Sequence, residues 1–226
     1  MFSKLRIISL FRFFKKIYTY RAMIRSMAIR EIQSRYIGTL GGFIWSIIHP
    51  LMMILVYWFV FSVGFKVQPA GGMPFIVVFL CGLIPWSMFA EAVATSANAI
   101  NTHAYLVTKT VFPTEILPVV SVVASLITHT IMLGIFIIIM LFNKVPLSLY
   151  NFQFLYYLFS LSIFSLGLGW LLAAINVFYK DVGQTLGVVL NIWFWCTPIV
   201  WLIDIIPQKY QYIIKLNPLF YIVDGY

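Results

Sequence analysis

Charge is scarce in this sequence. Only 9% of its residues are Asp, Glu, Lys or Arg and just six are acidic, while 62% are hydrophobic and the mean hydropathy is +0.99. A soluble domain carries about a quarter of its residues as charges, so a water-facing globule of 226 residues is excluded. Catalytic patterns are missing as well. No G-x-x-x-x-G-K-[ST] stretch occurs to cradle a nucleotide, and neither H-E-x-x-H nor G-x-S-x-G is present. The histidines His49, His103 and His129 are scattered without metal-ligand spacing, and a lone histidine in a span typically makes an interhelical hydrogen bond. Cys81 and Cys196 both fall in apolar runs, where a thiol behaves as a small hydrophobe, so neither a disulfide nor a metal site is expected. There is no internal repeat and no low-complexity tract. Arg12, Lys15 and Lys16 interrupt the first twenty residues, which leaves no clean signal-peptide core, and the basic segment is expected to stay in the mature protein.

What the sequence has is long apolar runs. Five are long enough to span a bilayer at about 20 residues each: Gly41 to Gly64, Pro74 to Ala94, Ile116 to Phe142, Phe152 to Val177 and Thr185 to Ile203. In hydrocarbon the backbone must satisfy itself within each segment, so these runs are helices and the fold class is an all-α integral membrane protein. The chain divides into a basic segment over 1–40 and a transmembrane domain over 41–226. After the fifth run, Pro207 and Pro218 punctuate a stretch rich in tyrosine, which suits a re-entrant or interfacial segment.

The formal net charge of +9 is concentrated at one end. Lys4, Arg6, Arg12, Lys15, Lys16, Arg21, Arg25, Arg30 and Arg35 precede the first run, opposed only by Glu31, and Lys109 and Lys180 lie in connections on the same side. The other side holds Lys66, Lys144, Lys209 and Lys215, so the positive-inside rule places the N-terminus in the cytoplasm. No stretch outside the spans is long enough for a folded nucleic-acid-binding domain, so no nucleic-acid partner is expected. Phe11, Phe14, Ile17 and Tyr18 fall opposite Arg12, Lys15 and Lys16 on a helical wheel. That pattern describes an interfacial amphipathic helix on anionic headgroups, set against a topogenic leader without fixed structure.

Three further groups of residues are candidates for function. Glu91 is ionisable and inside a span, either functional or paired near the interface. The connection from Asn101 to Pro118 is punctuated by Pro113 and Pro118 and suits a short helix that docks a partner, the alternative being an ordinary capped turn. Within it Lys109, Phe112, Pro113 and Glu115 are the candidate contacts, with Phe112 as the buried anchor. Trp45, Tyr57, Trp58, Trp193 and Trp195 could line a path for a sugar polymer, since rings offer contact area without a fixed hydrogen-bond pattern. Aromatic residues in such spans also serve as lipid-facing anchors.

The run IREIQSRYIGTLGGFIWSIIHPLMMILVYWFVF from Ile29 to Phe61 resembles the opening of the membrane subunits of ABC-2 type polysaccharide and polyol-phosphate exporters. GLIPWSMF from Gly82, TKTVFPTEILP from Thr108, the stretch from FYKDVGQ at Phe178 to CTPIVW ending at Trp201, and NPLFYIVDGY from Asn217 agree in the same order. Lys180 stands where arginine is usual in that family, and His49 where asparagine is common. The resemblance implies a permease that dimerises and docks two copies of a cytoplasmic ABC ATPase, exporting an undecaprenyl-linked glycan of the O-antigen, capsular or teichoic-acid type. It implies a transport subunit with no catalysis of its own in the bacterial cytoplasmic membrane, with ATP and Mg held by the partner and no cofactor on this chain. The runners-up are a drug or lipid exporter permease on the same scaffold and a membrane-embedded polyprenyl-linked sugar transferase, which would need a cluster of acids that is not seen. The family has six spans, so the full protein is expected to continue past Tyr226 for about 25 to 40 residues.

Overall fold

The computed structural model describes residues 13, 15–67, 73–146, 148–201, 203 and 206–226, and every regular element among them is helical. Lys15 to Thr19 are helical and lead into α1, Arg21–Ser34. The buried residues of α1 are Ile24, Ala28 and Ile32, one turn apart, which makes a narrow apolar stripe with Arg21 and Arg25 left exposed. Two glycines then turn the chain. Gly38 and Gly42 hold φ of 82° and 47°, a left-handed conformation that a side chain would strain.

Helix α2, Trp45–Trp58, follows a 3-10 turn over Gly42–Ile44 and runs on into a π-helix over Phe59–Gly64. Next come α3, Phe75–Thr102, and the short α4, Ala104–Lys109. A 3-10 turn over Thr114–Ile116 opens α5, Leu117–Phe142, with Pro118 in the first turn where its missing N–H costs nothing. Ser148 accepts from the Tyr150 backbone N–H at the start of a 3-10 turn over Leu149–Gln153, and α6 covers Phe154–Phe178. Beyond it lie α7, Asp181–Trp195, and the short helices α8, Gln208–Lys215, and α9, Pro218–Asp224.

Four of these helical stretches, Trp45–Gly64, Phe75–Thr102, Thr114–Phe142 and Leu149–Phe178, are long and apolar enough to cross a membrane. The protein is therefore a multi-pass membrane protein. The fifth expected span differs. Its helix begins four residues before Thr185 and stops at Trp195, so its 15 residues rise about 22 Å, short of a hydrocarbon core of about 30 Å. Pro198 gives the reason: it disfavours helical geometry at Thr197, whose hydroxyl turns back to the Trp193 carbonyl at 2.8 Å. Helix α3 differs in the other direction and continues eight residues past Ala94.

Helix α3 is the post of the bundle. It packs against α5, α6, α7 and α9, and Phe79, Leu80, Phe89 and Ala92 along it are fully buried. Helix α1 lies across the start of α5, where Ile24, Ala28 and Ile32 meet Ile116, Val119, Val120 and Ala124. Of the tyrosine-rich end only α9 is sheltered by protein, while α8 has no buried residue and Tyr210, Tyr212 and Tyr221 are exposed. Leu219, Phe220, Ile222 and Val223 of α9 are buried, and Gly82 on α3 admits the chain so closely that a Cβ there would sit 3.2 Å from the Ile199 Cα.

Candidate functional site

The connection between α3 and α5 is built as a bracket. Lys109 and Val111 are exposed, whereas Phe112 is half-buried against the cluster formed by α1 and the start of α5. Phe112 therefore packs within the subunit, and Val111 is the apolar side chain presented outward. The sequence reading had given that outward role to Phe112. Pro113 is half-buried beside it and opens the turn that carries Glu115. Lys16 donates to the Glu115 carboxylate at 2.6 Å, and Trp170 of α6 donates its indole N–H to the Glu115 carbonyl at 2.9 Å. Phe13 stands edge-on to Trp170 with ring centroids 5.0 Å apart. The bracket thus touches the N-terminal helix, α5 and α6 at once.

A set of charges lies next to the bracket. Arg35, just past α1, is hydrogen-bonded to Glu91 on α3 and stands 3.7 Å from Glu31 on its own helix. Thr128 on α5 donates to Glu91 at 3.4 Å, and Ser121 donates to Glu31 at the same distance. The ionisable residue in the second span is thus paired across helices. Burial raises the pKa of Glu31, partly offset by the positive charges of Arg35 and His103. Beside it opens a cavity of about 880 Å³ lined by Arg30, Glu31, Arg35, Asn98, His103 and Ser121 among others.

The aromatic candidates separate into two groups. Tyr57 stacks on Phe61 and is tilted against Phe79, at centroid distances of 6.2 and 4.9 Å, and Trp193 packs edge-on to Phe89 while donating to Asn217 at 2.8 Å. Both belong to the core. Trp45, Trp58 and Trp195 point away from the subunit's interior and are exposed. The structure does not gather the five into one lining. The expected interhelical bond of His129 is replaced by one to the hydroxyl of Tyr226, just past α9, at 2.5 Å. Of the interfacial helix, Lys15 and Lys16 are helical, and Phe11, Arg12 and Phe14 lie outside the described residues. Among the described residues no cluster of metal-binding side chains occurs.

The model of the ABC-2 type transporter family matches residues 23–226, from the first turn of α1 through α9. The chain belongs to that family. It is 30% identical over 218 residues to an O-antigen export system permease protein, RfbA, of Myxococcus xanthus, covering 95% of this chain and 82% of the relative. An O-antigen export system permease protein RfbA of Klebsiella pneumoniae is 27% identical over 192 residues, 84% of this chain and 73% of the relative. The polysialic acid transport protein KpsM of Escherichia coli is 23% identical over 210 residues, 90% and 79% of the two chains.

In this ABC-2 chain the structure adds residues that the sequence reading passed over. Trp170 looked like one more aromatic residue in an apolar run, and its hydrogen bond to Glu115 crosses 55 positions of sequence. Asn176 carried a readable signal. An amide inside a span must find partners in the protein, and Asn176 is fully buried at the end of α6.

Proposed function

We propose that this chain is the membrane-spanning subunit of an ABC exporter that moves lipid-linked polysaccharide of the O-antigen, capsular or teichoic-acid type across the bacterial cytoplasmic membrane. What carries this reading is that its relatives, along nearly the whole chain, are O-antigen and polysialic acid export permeases. The concentration of positive charge in α1 and before it supports a cytoplasmic N-terminus, which puts the bracket on the cytoplasmic side. There Lys109 and Val111 form the contact for a separate ATPase, which supplies ATP and Mg. A partner can do work on the membrane helices only through contacts that differ between its two states, and the bracket is the exposed place where such a contact would reach three helices. Two copies of the chain and two ATPases make the working complex. Exposed α2, with only Ser46 and Ile54 buried, is the surface a second copy would cover.

Expression of the chain with its cognate ATPase in a strain lacking its own O-antigen permease tests the reading. Restored surface polysaccharide supports it. Unchanged intracellular accumulation of the glycan, together with new resistance to small toxic compounds, would assign the chain to drug export instead.

A further inference from the structure

Resting on the export reading, we infer that Asn176 is the positioning residue that carries movement of the bracket into α7. Its side chain ties three helices at the bracket's end of the bundle. The amide nitrogen donates to the Ala97 carbonyl at 2.9 Å and to the Asn98 side-chain oxygen at 3.0 Å, both on α3. The amide oxygen accepts the Gly183 backbone N–H of α7 at 3.1 Å. Asn101, near the end of α3, donates to the Asn176 carbonyl at 3.1 Å. Every hydrogen-bonding atom of a fully buried amide is thus used, and each partner sits on an element that leads somewhere functional.

Helix α3 leads from Asn98 and Asn101 to its end at Thr102, and after a turn at His103 the chain continues into α4 and the bracket. Helix α7 runs the other way, from Gly183 to Trp193, which is held to Asn217 at the foot of α9. Gly183 makes the joint tight. A Cβ there would lie 2.6 Å from the Asn98 side-chain oxygen and 3.4 Å from the Asn176 nitrogen. A short, fully satisfied polar joint between apolar helices resists shear, because sliding would leave buried polar groups without partners. Displacement of the bracket therefore moves the base of α7 with α3, and a helix moves as a rod. The far end of α7, with Trp193 and Trp195, is where a polymer path would widen. Without the joint, α7 follows the bracket only indirectly, through its chain connection to α6 and through apolar packing.

The test uses the whole complex, this chain with its ATPase, in proteoliposomes supplied with a radiolabelled undecaprenyl-diphosphate-linked oligosaccharide. It reads three quantities: ATP hydrolysis, labelled glycan moved per ATP hydrolysed, and the melting temperature of the complex. Asn176→Ala is expected to keep hydrolysis within about twofold of the parent and to lower glycan moved per ATP by about tenfold, as the loss of a buried, charge-free polar joint suggests. Gly183→Ala forces the joint apart without removing a polar group and is expected to act in the same direction. Should Asn176→Ala fail to assemble, Asn98→Ala removes one acceptor of the joint, along with its own bond to the Ala94 carbonyl within α3, and is expected to lower the same ratio by about threefold. A ratio that stays at the parental value in an assembled variant overturns the inference. So does a parallel fall of hydrolysis, export and melting temperature, which would make Asn176 a folding residue. A parental complex that hydrolyses ATP and moves no oligosaccharide refutes the export reading itself, a result distinct from either.

Discussion

Helices α2 and α3 have similar hydropathy and opposite surroundings. In α3, 72% of the most apolar stretch is buried by the rest of the subunit, and in α2 with its π-helical extension only 6% is. One subunit is thus organised around α3 and leaves α2 at its edge. Apolar burial does not drive helices together inside lipid, so what separates the two is packing and polar contacts. Helix α3 has both. Glu91, Asn98 and Asn101 reach neighbouring segments, and small residues at Gly169 and Gly82 let backbones approach. On α2 the polar side chains are few, and an internal proline does not distinguish the two, since α2 carries Pro50 and α3 carries Pro85. The lesson is that hydropathy finds a span without saying whether it is post or wall.

Matched substitutions sharpen that contrast. Phe89→Ala on α3 removes a fully buried ring stacked on Phe164 and should cost about 3 to 5 kcal/mol, read as a large fall in melting temperature and in the amount held in the membrane. Trp58→Ala on α2 should leave the melting temperature of the lone subunit nearly unchanged, because its ring is exposed. Its effect should be on the assembly, read as loss of cross-linked dimer in native membranes. Equal loss of stability in the two variants would end the distinction between post and wall.

The ion pair between Arg35 and Glu91 gives a smaller and more specific effect. Glu91→Ala leaves the half-buried Arg35 guanidinium with only Glu31, 3.7 Å away, and should cost about 2 kcal/mol, whereas Arg35→Ala with Glu91→Ala together should cost less than the sum of the two singles, since the bond they share is lost only once. Thermal melts of the two singles and the double measure it. A double variant as unstable as the sum of the singles would show that the two side chains act independently.

Much of this architecture was legible in the sequence, and the exceptions have physical causes. The long apolar runs fixed four spans because nothing but a helix satisfies a backbone in lipid. The end of α3 was misplaced since Ser96, Asn98 and Asn101 resemble loop residues. They stay helical because the Pro118 carbonyl and Asn176, distant in sequence, satisfy their side chains. The end of α7 was misplaced in the opposite sense, when hydropathy was carried through Pro198. The bracket was found from its prolines, but the direction of Phe112 was not, as no local pattern reveals that α1 folds back to cover it. Contacts such as Lys16 with Glu115 link residues too far apart for any periodicity to disclose.

The smallest expected effect concerns Glu31. Burial raises its pKa in the folded protein, so its contribution to stability is present below its ordinary value and is lost as pH rises through the raised one. Glu31→Gln should therefore gain on the parent as pH rises from the ordinary carboxylate range toward neutrality. Melting temperatures of the two proteins across that range check the sign, and a variant that loses ground to the parent as pH rises would contradict it.

The bracket is the proposed place where the ATPase pushes, and co-purification of the ATPase with Val111→Asp and Phe112→Ala variants of this chain tests that role most directly. Val111→Asp puts a charge on the exposed contact and should strip the ATPase while the permease stays folded in the membrane. Phe112→Ala loosens the packing behind that contact and should retain the ATPase but abolish glycan export. Parental amounts of ATPase bound to Val111→Asp, with export at the parental rate, would show that the ATPase docks elsewhere.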